Sequence, residues 1–184
     1  IPVIGSLVNR GAWLDSRSGM TSYEGLRAQV MEAANDPDVT SIVLDIDSPG
    51  GEATGMFSLA SAIRAARDKK PVIAVVDDVA ASAGFGVASS ASKIVVSPTS
   101  MVGSIGVVWM HLDRSGELAM KGVRPTLLHA GAEKVVGNSL APLSEKDRAS
   151  MQAMVDSFYQ QFLDTVQAGR PVQLPADKAR ATEA

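Results

Sequence analysis

The sequence predicts an α/β fold, built as layers of strands and helices around a shared core. Two observations support this class. Short apolar runs such as Ile42–Leu44 and Val72–Val76 alternate with longer segments whose apolar residues recur every three to four positions. The 184 residues, 46% of them hydrophobic and 20% charged, are enough to bury one full core, and no repeat or linker divides them. We therefore expect a single domain over residues 1–184.

The individual elements follow from capping signals and periodicity. A capping box, Thr21–Glu24, begins the first helix, which carries Leu26, Val30 and Ala33 on one face and ends at Asp36-Pro37. The later elements are strand Thr40–Ile46, helix Thr54–Arg67, strand Pro71–Val76, a helix opened by Ser82, strands Lys93–Val96 and Ile105–Trp109, helix Asp113–Lys121 and strand Pro125–Leu128. A last helix is capped at Ser144–Asp147, and we expect its apolar stripe to pack on the core, with an oligomer contact as the alternative. The residues of that stripe are Met151, Met154, Val155, Phe158, Phe162 and Val166.

Ser82 stands at the predicted bend between a strand and a helix, in the run Val79–Gly86. At such a bend the helix N–H groups and the helix dipole favour negative charge. A nucleophile and the oxyanion of its tetrahedral intermediate require this environment. Taken alone, Ala81–Gly84 is equally typical of a capped, tightly packed turn.

The segment Asp47–Gly51 directly follows another apolar run. Paired glycines after a proline let the backbone approach a ligand closely and present an N–H group to an oxyanion or to an extended peptide. A plain turn before the next helix is the alternative. Asp45 and Asp47 alternate at the strand end, and we expect at most one of them to face a cleft.

Together with two further segments, these landmarks resemble the S49 peptidases, the signal-peptide-peptidase-A-like serine proteases of the ClpP/crotonase fold. The landmarks are Asp47–Gly51, Ala80–Gly84, Ser97-Pro98 with Met101–Val107, and Ala130–Lys134. The resemblance runs from about Ile1 to about Val166 and makes Pro2–Val8 the first strand. It implies a ClpP/crotonase-like layered fold with repeated ββα units in one S49 peptidase domain. Against the family pattern, we expect that domain to be trimmed at both ends.

The resemblance also implies a role for each matching residue. Ser82 would be the nucleophile and Lys134 the general base of a Ser–Lys dyad. Gly51 and Ala83 would donate the N–H groups of the oxyanion hole, and Ser104 would orient the lysine. An extended peptide would add as a strand along the loop. Its expected contacts are Asp47, Ser48, Pro49, Gly50 and Phe85. No metal or organic cofactor is implied.

The proposed base makes a demand on its surroundings. A lysine that accepts a proton near neutrality needs a pKa about 2–3 units below the ordinary value near 10.4, which an apolar, water-poor pocket provides. Val135 and Val136 favour such a pocket around Lys134, whereas Glu133 must point elsewhere. Without the resemblance, a solvated surface lysine is the ordinary interpretation.

A Ser–His–Asp triad is the competing arrangement, and the chain has two histidines that could serve it. The setting of His111 is more typical of a structural or surface histidine. His129 lies five residues before Lys134 and is a secondary candidate for the same cleft.

Composition excludes several other classes. A net charge of −3, with no basic run, gives no support for nucleic-acid binding. The absence of cysteine excludes disulfides and thiol chemistry, and two scattered histidines disfavour a zinc site. No apolar stretch is long enough to span a bilayer, so this chain does not support membrane contact.

The amino-acid sequences of Leu7–Leu14 and Asp45–Gly55 resemble the soluble phage and prophage branch of the family, whose members process capsid scaffold proteins. This branch implies a protein substrate, a cytoplasmic location and a homo-oligomeric ring. Signal-peptide degradation is the runner-up role, with membrane association if an N-terminal anchor was removed. A non-catalytic capsid-assembly protein and a crotonase-type acyl-CoA enzyme are the alternatives from other classes.

Overall fold

The structure is a computed structural model that describes residues 1–11 and 18–170. It consists of two compact units, one formed by Ile1–Gly106 with Tyr159–Ala184 and the other by Val107–Phe158. Residues 12–14 of the phage-like segment Leu7–Leu14 lie outside the described residues.

The first unit has the predicted α/β class. Its elements in chain order are strands β1 (Pro2–Ile4), β2 (Ser6–Val8) and β3 (Met20–Ser22), helix α1 (Tyr23–Asn35), strand β4 (Ile42–Ser48), helix α2 (Met56–Arg67), strand β5 (Val72–Ala81), helix α3 (Ala83–Ser89), and strands β6 (Lys93–Val96) and β7 (Met101–Gly103). A later helix, α5 (Glu145–Gly169), adds its C-terminal part to this unit.

A parallel five-stranded sheet forms the framework of this unit. Its order is β1-β4-β5-β6, and β7 pairs with the C-terminal part of β5. Strands β2 and β3 form a second, two-stranded parallel sheet. Because parallel strands end at the same edge of a sheet, the last residue of β4 comes beside the end of β5, where Ser48 pairs with Ala80. Both predicted motif loops therefore leave the sheet at one edge.

The core lies on one face of the sheet. Along β4, Ile42, Leu44 and Ile46 are buried while the residues between them are exposed. Helices α1 and α2 bury their apolar faces with these residues in one cluster, through Leu26, Val30, Leu59 and Ile63 among others. Each such side chain contributes about 1.5–3 kcal/mol when fully buried. The two-residue period of a strand puts Asp45 and Asp47 on the same exposed face, and the expectation that at most one of them faces a cleft stays a prediction.

Several boundaries in the first unit differ from the sequence prediction. The expected first strand, Pro2–Val8, is divided into β1 and β2, β4 runs from Ile42 to Ser48 instead of from Thr40 to Ile46, and α2 begins at Met56 instead of Thr54. Strand β5 continues to Ala81, five residues past its predicted end, and leads directly into Ser82. Helix α1 is capped by Ser22, whose Oγ accepts the Gly25 N–H at 3.0 Å. The Thr21 hydroxyl instead donates to the Ile4 carbonyl at 2.7 Å, so it attaches β3 to β1.

The second unit contains helix α4 (Ser115–Met120) and the N-terminal part of α5. The strands predicted at Ile105–Trp109 and Pro125–Leu128 are wrong, since neither stretch has regular secondary structure. A run of residues with high β propensity becomes a strand only where another strand pairs with it, and propensity alone does not supply that partner. The α5 stripe places Phe162 and Val166 in the core cluster of the first unit, which confirms its packing on the core for these two residues, while Met151 is buried in the second unit.

None of the helices within residues 1–11 and 18–170 is long and apolar enough to cross a membrane.

Candidate active site

Ser82 lies between the end of β5 and the start of α3, as predicted. Its backbone has φ 50° and ψ −123°, and its side chain is half-buried and makes no capping hydrogen bond to the helix. The Ser82 N–H donates to the Gly103 carbonyl at 2.9 Å, and the Ser82 carbonyl accepts the Gly86 N–H at 3.0 Å. Hydrogen bonds thus hold both the N–H and the carbonyl of Ser82, while its hydroxyl does not cap α3.

Ser104, like Ser82, has a positive φ angle. Among the described residues, these two serines are the non-glycine residues with positive φ, at 50° and 54°. Such a conformation costs on the order of 1–3 kcal/mol and persists where the surrounding structure enforces it. Gly103, which directly precedes Ser104, accepts the Ser82 N–H. The structure therefore joins the two backbones at the predicted site, and the Ser104 side chain is exposed.

Hydrogen bonds to its neighbours fix the loop after β4. The Ser48 hydroxyl donates to the Gly5 carbonyl at 2.7 Å and accepts the Gly50 N–H at 3.2 Å. Leu7 then brackets the loop, because its N–H donates to the Gly50 carbonyl at 2.9 Å and its carbonyl accepts the Glu52 N–H at 2.8 Å. Between these two bonds, the Gly51 N–H has no hydrogen-bond partner among the described residues.

The loop lies directly against Ser82. Gly50 has φ +109°, and a Cβ atom built on it would stand 2.7 Å from the Ser82 Cβ and 3.1 Å from the Ala83 nitrogen. Only glycine permits this approach. The Ala83 N–H, like that of Gly51, has no partner within the described part of the chain. The structure therefore gathers the segments expected to form the oxyanion hole around Ser82.

The remaining residues expected to contact a peptide differ in exposure. Asp47 and Pro49 are exposed, and Phe85 is half-buried against the core. Ser48 has 0% exposure, so its expected contact with a substrate is wrong: the side chain holds the loop from inside. The sequence analysis did not predict that the Gly103 carbonyl accepts the Ser82 N–H, although Gly103 belongs to the Met101–Val107 landmark.

Lys134 belongs to the second unit, and Ser82 to the first. Lys134 lies in an irregular turn, with its N–H donating to the Gly131 carbonyl at 3.2 Å. Its side chain is exposed, so the expectation of an apolar, water-poor pocket is wrong for the chain as described. Glu133 points elsewhere, as predicted, because it accepts a hydrogen bond from Lys146 Nζ at 2.7 Å. That hydrogen bond raises the pKa of Lys146 above its ordinary value.

Both histidines contact backbone carbonyls of the second unit. His111 Nε2 lies 2.9 Å from the Asn138 carbonyl oxygen and is half-buried, in agreement with a structural histidine. The exposed His129 has its Nδ1 3.0 Å from the Gly131 carbonyl oxygen, in the same turn as Lys134. Within the part of the chain that the structure describes, no cluster of three or more His, Asp or Glu could hold a metal ion.

A half-buried serine at a strained strand-to-helix bend, beside two N–H groups that lack partners among the described residues, is an arrangement typical of serine hydrolases. Residues 64–184 match the family described as peptidase family S49, and the chain belongs to that family. Its α/β architecture around a parallel sheet is the fold class expected from the sequence.

Two curated relatives come from bacteriophages. The chain is 41% identical over 184 residues to the head-tail preconnector protein GP5 of Enterobacteria phage P21, which covers 100% of this chain and 36% of that protein. It is 41% identical over 183 residues to the capsid assembly protease C of Escherichia phage lambda, which covers 98% of this chain and 42% of that protein. The chain thus spans less than half the length of either relative.

More distant matches have other names. The protease 4 of Salmonella typhi is 29% identical over 163 residues, covering 87% of this chain and 26% of that protein. Among solved structures, an enoyl-CoA hydratase from Polaromonas sp. JS666 has a TM-score of 0.43 and 17% identity, covering 88% of this chain and 78% of that one.

Proposed function

We propose that the chain is a serine endopeptidase in which Ser82 is the nucleophile and Lys134 the general base. The observation that carries the proposal is the bend at Ser82, where a strained serine adjoins two N–H groups that have no partner among residues 1–11 and 18–170. Membership of peptidase family S49 supports the same reaction.

The proposed reaction follows from these atoms. Ser82 Oγ attacks the carbonyl carbon of the scissile peptide while its proton passes to Lys134 Nζ. The oxyanion accepts hydrogen bonds from the N–H groups of Gly51 and Ala83, and one such donor is worth about 2.7–4 kcal/mol in the transition state. The intermediate then expels the amine, which takes the proton from Lys134. Water hydrolyses the ester left on Ser82.

The exposed Lys134 must lose water before it can act as a base near neutrality. We propose that a bound peptide, or a neighbouring copy of the chain, supplies that cover. Ser104 would accept a hydrogen bond from the lysine and orient it. An extended substrate would lie beside Gly50-Gly51, with Asp47, Pro49 and Phe85 along its path.

The names of the phage relatives support a role in capsid assembly, with head proteins as substrates. Degradation of signal peptides is the second role that the family resemblance implies. The name of the preconnector protein favours a different candidate, a structural part of the phage head that needs no catalysis.

A serine-directed fluorophosphonate followed by mass spectrometry tests the proposal. We expect an adduct on Ser82 that is absent in Ser82→Ala and at least about 100-fold slower to form in Lys134→Ala. The matched control is Lys121→Ala, which removes an exposed lysine of the same unit and should label at the wild-type rate. An unlabelled wild type, or a Lys134→Ala variant that labels normally, would overturn the dyad and favour the structural candidate.

A further inference from the structure

Two arginine side chains bind the C-terminal end of α3, at the opposite end of the helix from Ser82. Arg67 is the last residue of α2, and Arg170 directly follows α5. Arg170 Nε donates to the Ser89 carbonyl at 2.9 Å, and its Nη2 donates to the Ala91 carbonyl. Arg67 Nη1 donates to the Ser90 and Ala91 carbonyls, both at 3.4 Å.

Arg67 also joins α3 to α5. Arg67 donates to the Gly169 carbonyl at 3.0 Å and to the Ala168 carbonyl at 3.3 Å. The two helix ends also touch directly, since a Cβ atom built on Gly169 would lie 2.0 Å from the Ser89 carbonyl oxygen. The ends of α2, α3 and α5 therefore meet at one point of the first unit.

The chemistry of the contact explains why it holds. The last carbonyls of a helix lack intrahelical partners and carry partial negative charge, and a guanidinium offers five donors in a rigid plane. Assembling arginines here is also unfavourable. Burial, and then the charge of Arg67, lower the pKa of both Arg64 and Arg170. Hydrogen bonds to the helix carbonyls offset that repulsion.

Arg64 provides a natural comparison. It lies on α2 like Arg67 and feels the charge of Arg67, but among the described residues its hydrogen-bond partner is the Ser90 hydroxyl, 3.4 Å from its Nη1. Within the described part of the chain, its hydrogen-bond partners include neither a carbonyl of α3 nor the end of α5. Its removal takes away one charge and leaves the carbonyl contacts in place.

Helix α3 has seven residues and is thus about 10 Å long, so a shift at one end is transmitted to the other. Ser82 holds a strained conformation at that other end, which requires surroundings that over-determine it. We propose that Arg67 and Arg170 are positioning residues for Ser82: they fix the end of α3 on the end of α5 and thereby hold the nucleophile in line. This inference rests on the proposed peptidase function.

The test compares Arg67→Ala, Arg67→Lys and Arg170→Ala with Arg64→Ala. Fluorophosphonate labelling of Ser82 is measured per folded molecule, well below each unfolding temperature. We expect labelling about tenfold slower in Arg67→Ala and Arg170→Ala, with kcat lowered and KM unchanged for a peptide substrate. Arg67→Lys should recover little, because an ammonium cannot bridge several carbonyls. Arg64→Ala should stay within about twofold of the wild type.

Amide hydrogen exchange of residues 83–88 gives a second readout that needs no activity. Exchange in α3 should become faster in Arg67→Ala and remain unchanged in Arg64→Ala. Wild-type labelling rates in both alanine variants would overturn the inference, and so would an equal loss in Arg64→Ala. If the wild type itself does not label, the proposed function fails, and unchanged exchange in α3 would overturn the positioning role separately.

Discussion

Ser82 keeps a backbone conformation that residues with a side chain rarely adopt, and its immediate contacts account for this. Gly103 accepts its N–H, Gly86 donates to its carbonyl, and Gly50 lies against its Cβ. Ser48 secures Gly50 from beneath, with a side chain that is wholly buried. The position of the hydroxyl thus depends on two segments that are distant in sequence, Ser48–Gly50 and Gly103, and on the first turn of α3.

The variant Gly50→Ala tests this dependence. A Cβ atom cannot fit 2.7 Å from the Ser82 Cβ, and φ +109° is strained for alanine. We expect at least a tenfold slower fluorophosphonate labelling and a loss of about 1–3 kcal/mol in the free energy of unfolding. Gly116→Ala is the control, because nothing lies within 4 Å of its added Cβ. Equal behaviour of the two variants would contradict the close approach.

Tyr23 connects helix α1 to the segment after the glycine loop. It has 2% exposure, and its hydroxyl donates to the Glu52 carbonyl at 2.6 Å. Burial, and then the charge of Glu52, raise the pKa of Tyr23 above its ordinary value of 10.0. The unfolded chain therefore ionises first as the pH rises. The stability contributed by the neutral phenol is complete below about pH 10 and is lost as the pH rises toward the folded-state pKa.

The free energy of unfolding should accordingly fall more steeply between about pH 9.5 and 11.5 in the wild type than in Tyr23→Phe. At pH 7 the variant should be less stable by about 1 kcal/mol, from the lost hydrogen bond. Urea denaturation at a series of pH values measures both effects. Parallel pH profiles would show that Tyr23 ionises as readily in the folded chain as in the unfolded one.

At the scale of elements, local signals located most helices but not their exact first residues. The capping box predicted at Thr21–Glu24 is shifted by one residue, because the Thr21 hydroxyl is taken by the Ile4 carbonyl. That leaves Ser22 as the cap of α1. A tertiary contact between two strands thus decides which of two neighbouring hydroxyls begins the helix.

Ser22→Ala should lower the free energy of unfolding by about 1 kcal/mol, the usual effect of removing a helix cap. Ser18→Ala alters an exposed serine just before β3, the strand that ends at Ser22. It should change the free energy of unfolding by less than about 0.5 kcal/mol. Denaturant titrations of the two variants provide the measurement. An unchanged free energy of unfolding in Ser22→Ala would contradict Ser22 as the cap of α1 and favour Thr21.

At the scale of the whole molecule, the second unit exposes many large apolar side chains. Val108 is 91% exposed, Met120 85% and Leu128 94%. Large apolar side chains that stay exposed to water are found at surfaces that bind other chains when they lie side by side. Within the proposed function, we expect it to contact further copies of the chain, as in the homo-oligomeric ring that the family resemblance implies.

Analytical ultracentrifugation tests this assembly. The wild type should sediment as an oligomer, and Leu128→Glu should shift it toward the monomer without changing the free energy of unfolding. The control Ala130→Glu adds the same charge at an exposed small residue nearby and should leave the oligomer in place. A wild type that is monomeric at about 100 µM would contradict the ring.

The sequence by itself determined the α/β class, the bend at Ser82, the glycine loop and most of the helices of the first unit. These features depend on periodicity, capping and the backbone freedom of glycine, which are properties of short stretches. The strands expected at Ile105–Trp109 and Pro125–Leu128 did not form, because a strand depends on a partner elsewhere in the chain. The burial of Ser48, the exposure of Lys134 and the arginine contacts of α3 were likewise decided only in the tertiary structure. Each of these features depends on contacts between residues that are distant in sequence, and no local sequence pattern predicts those contacts.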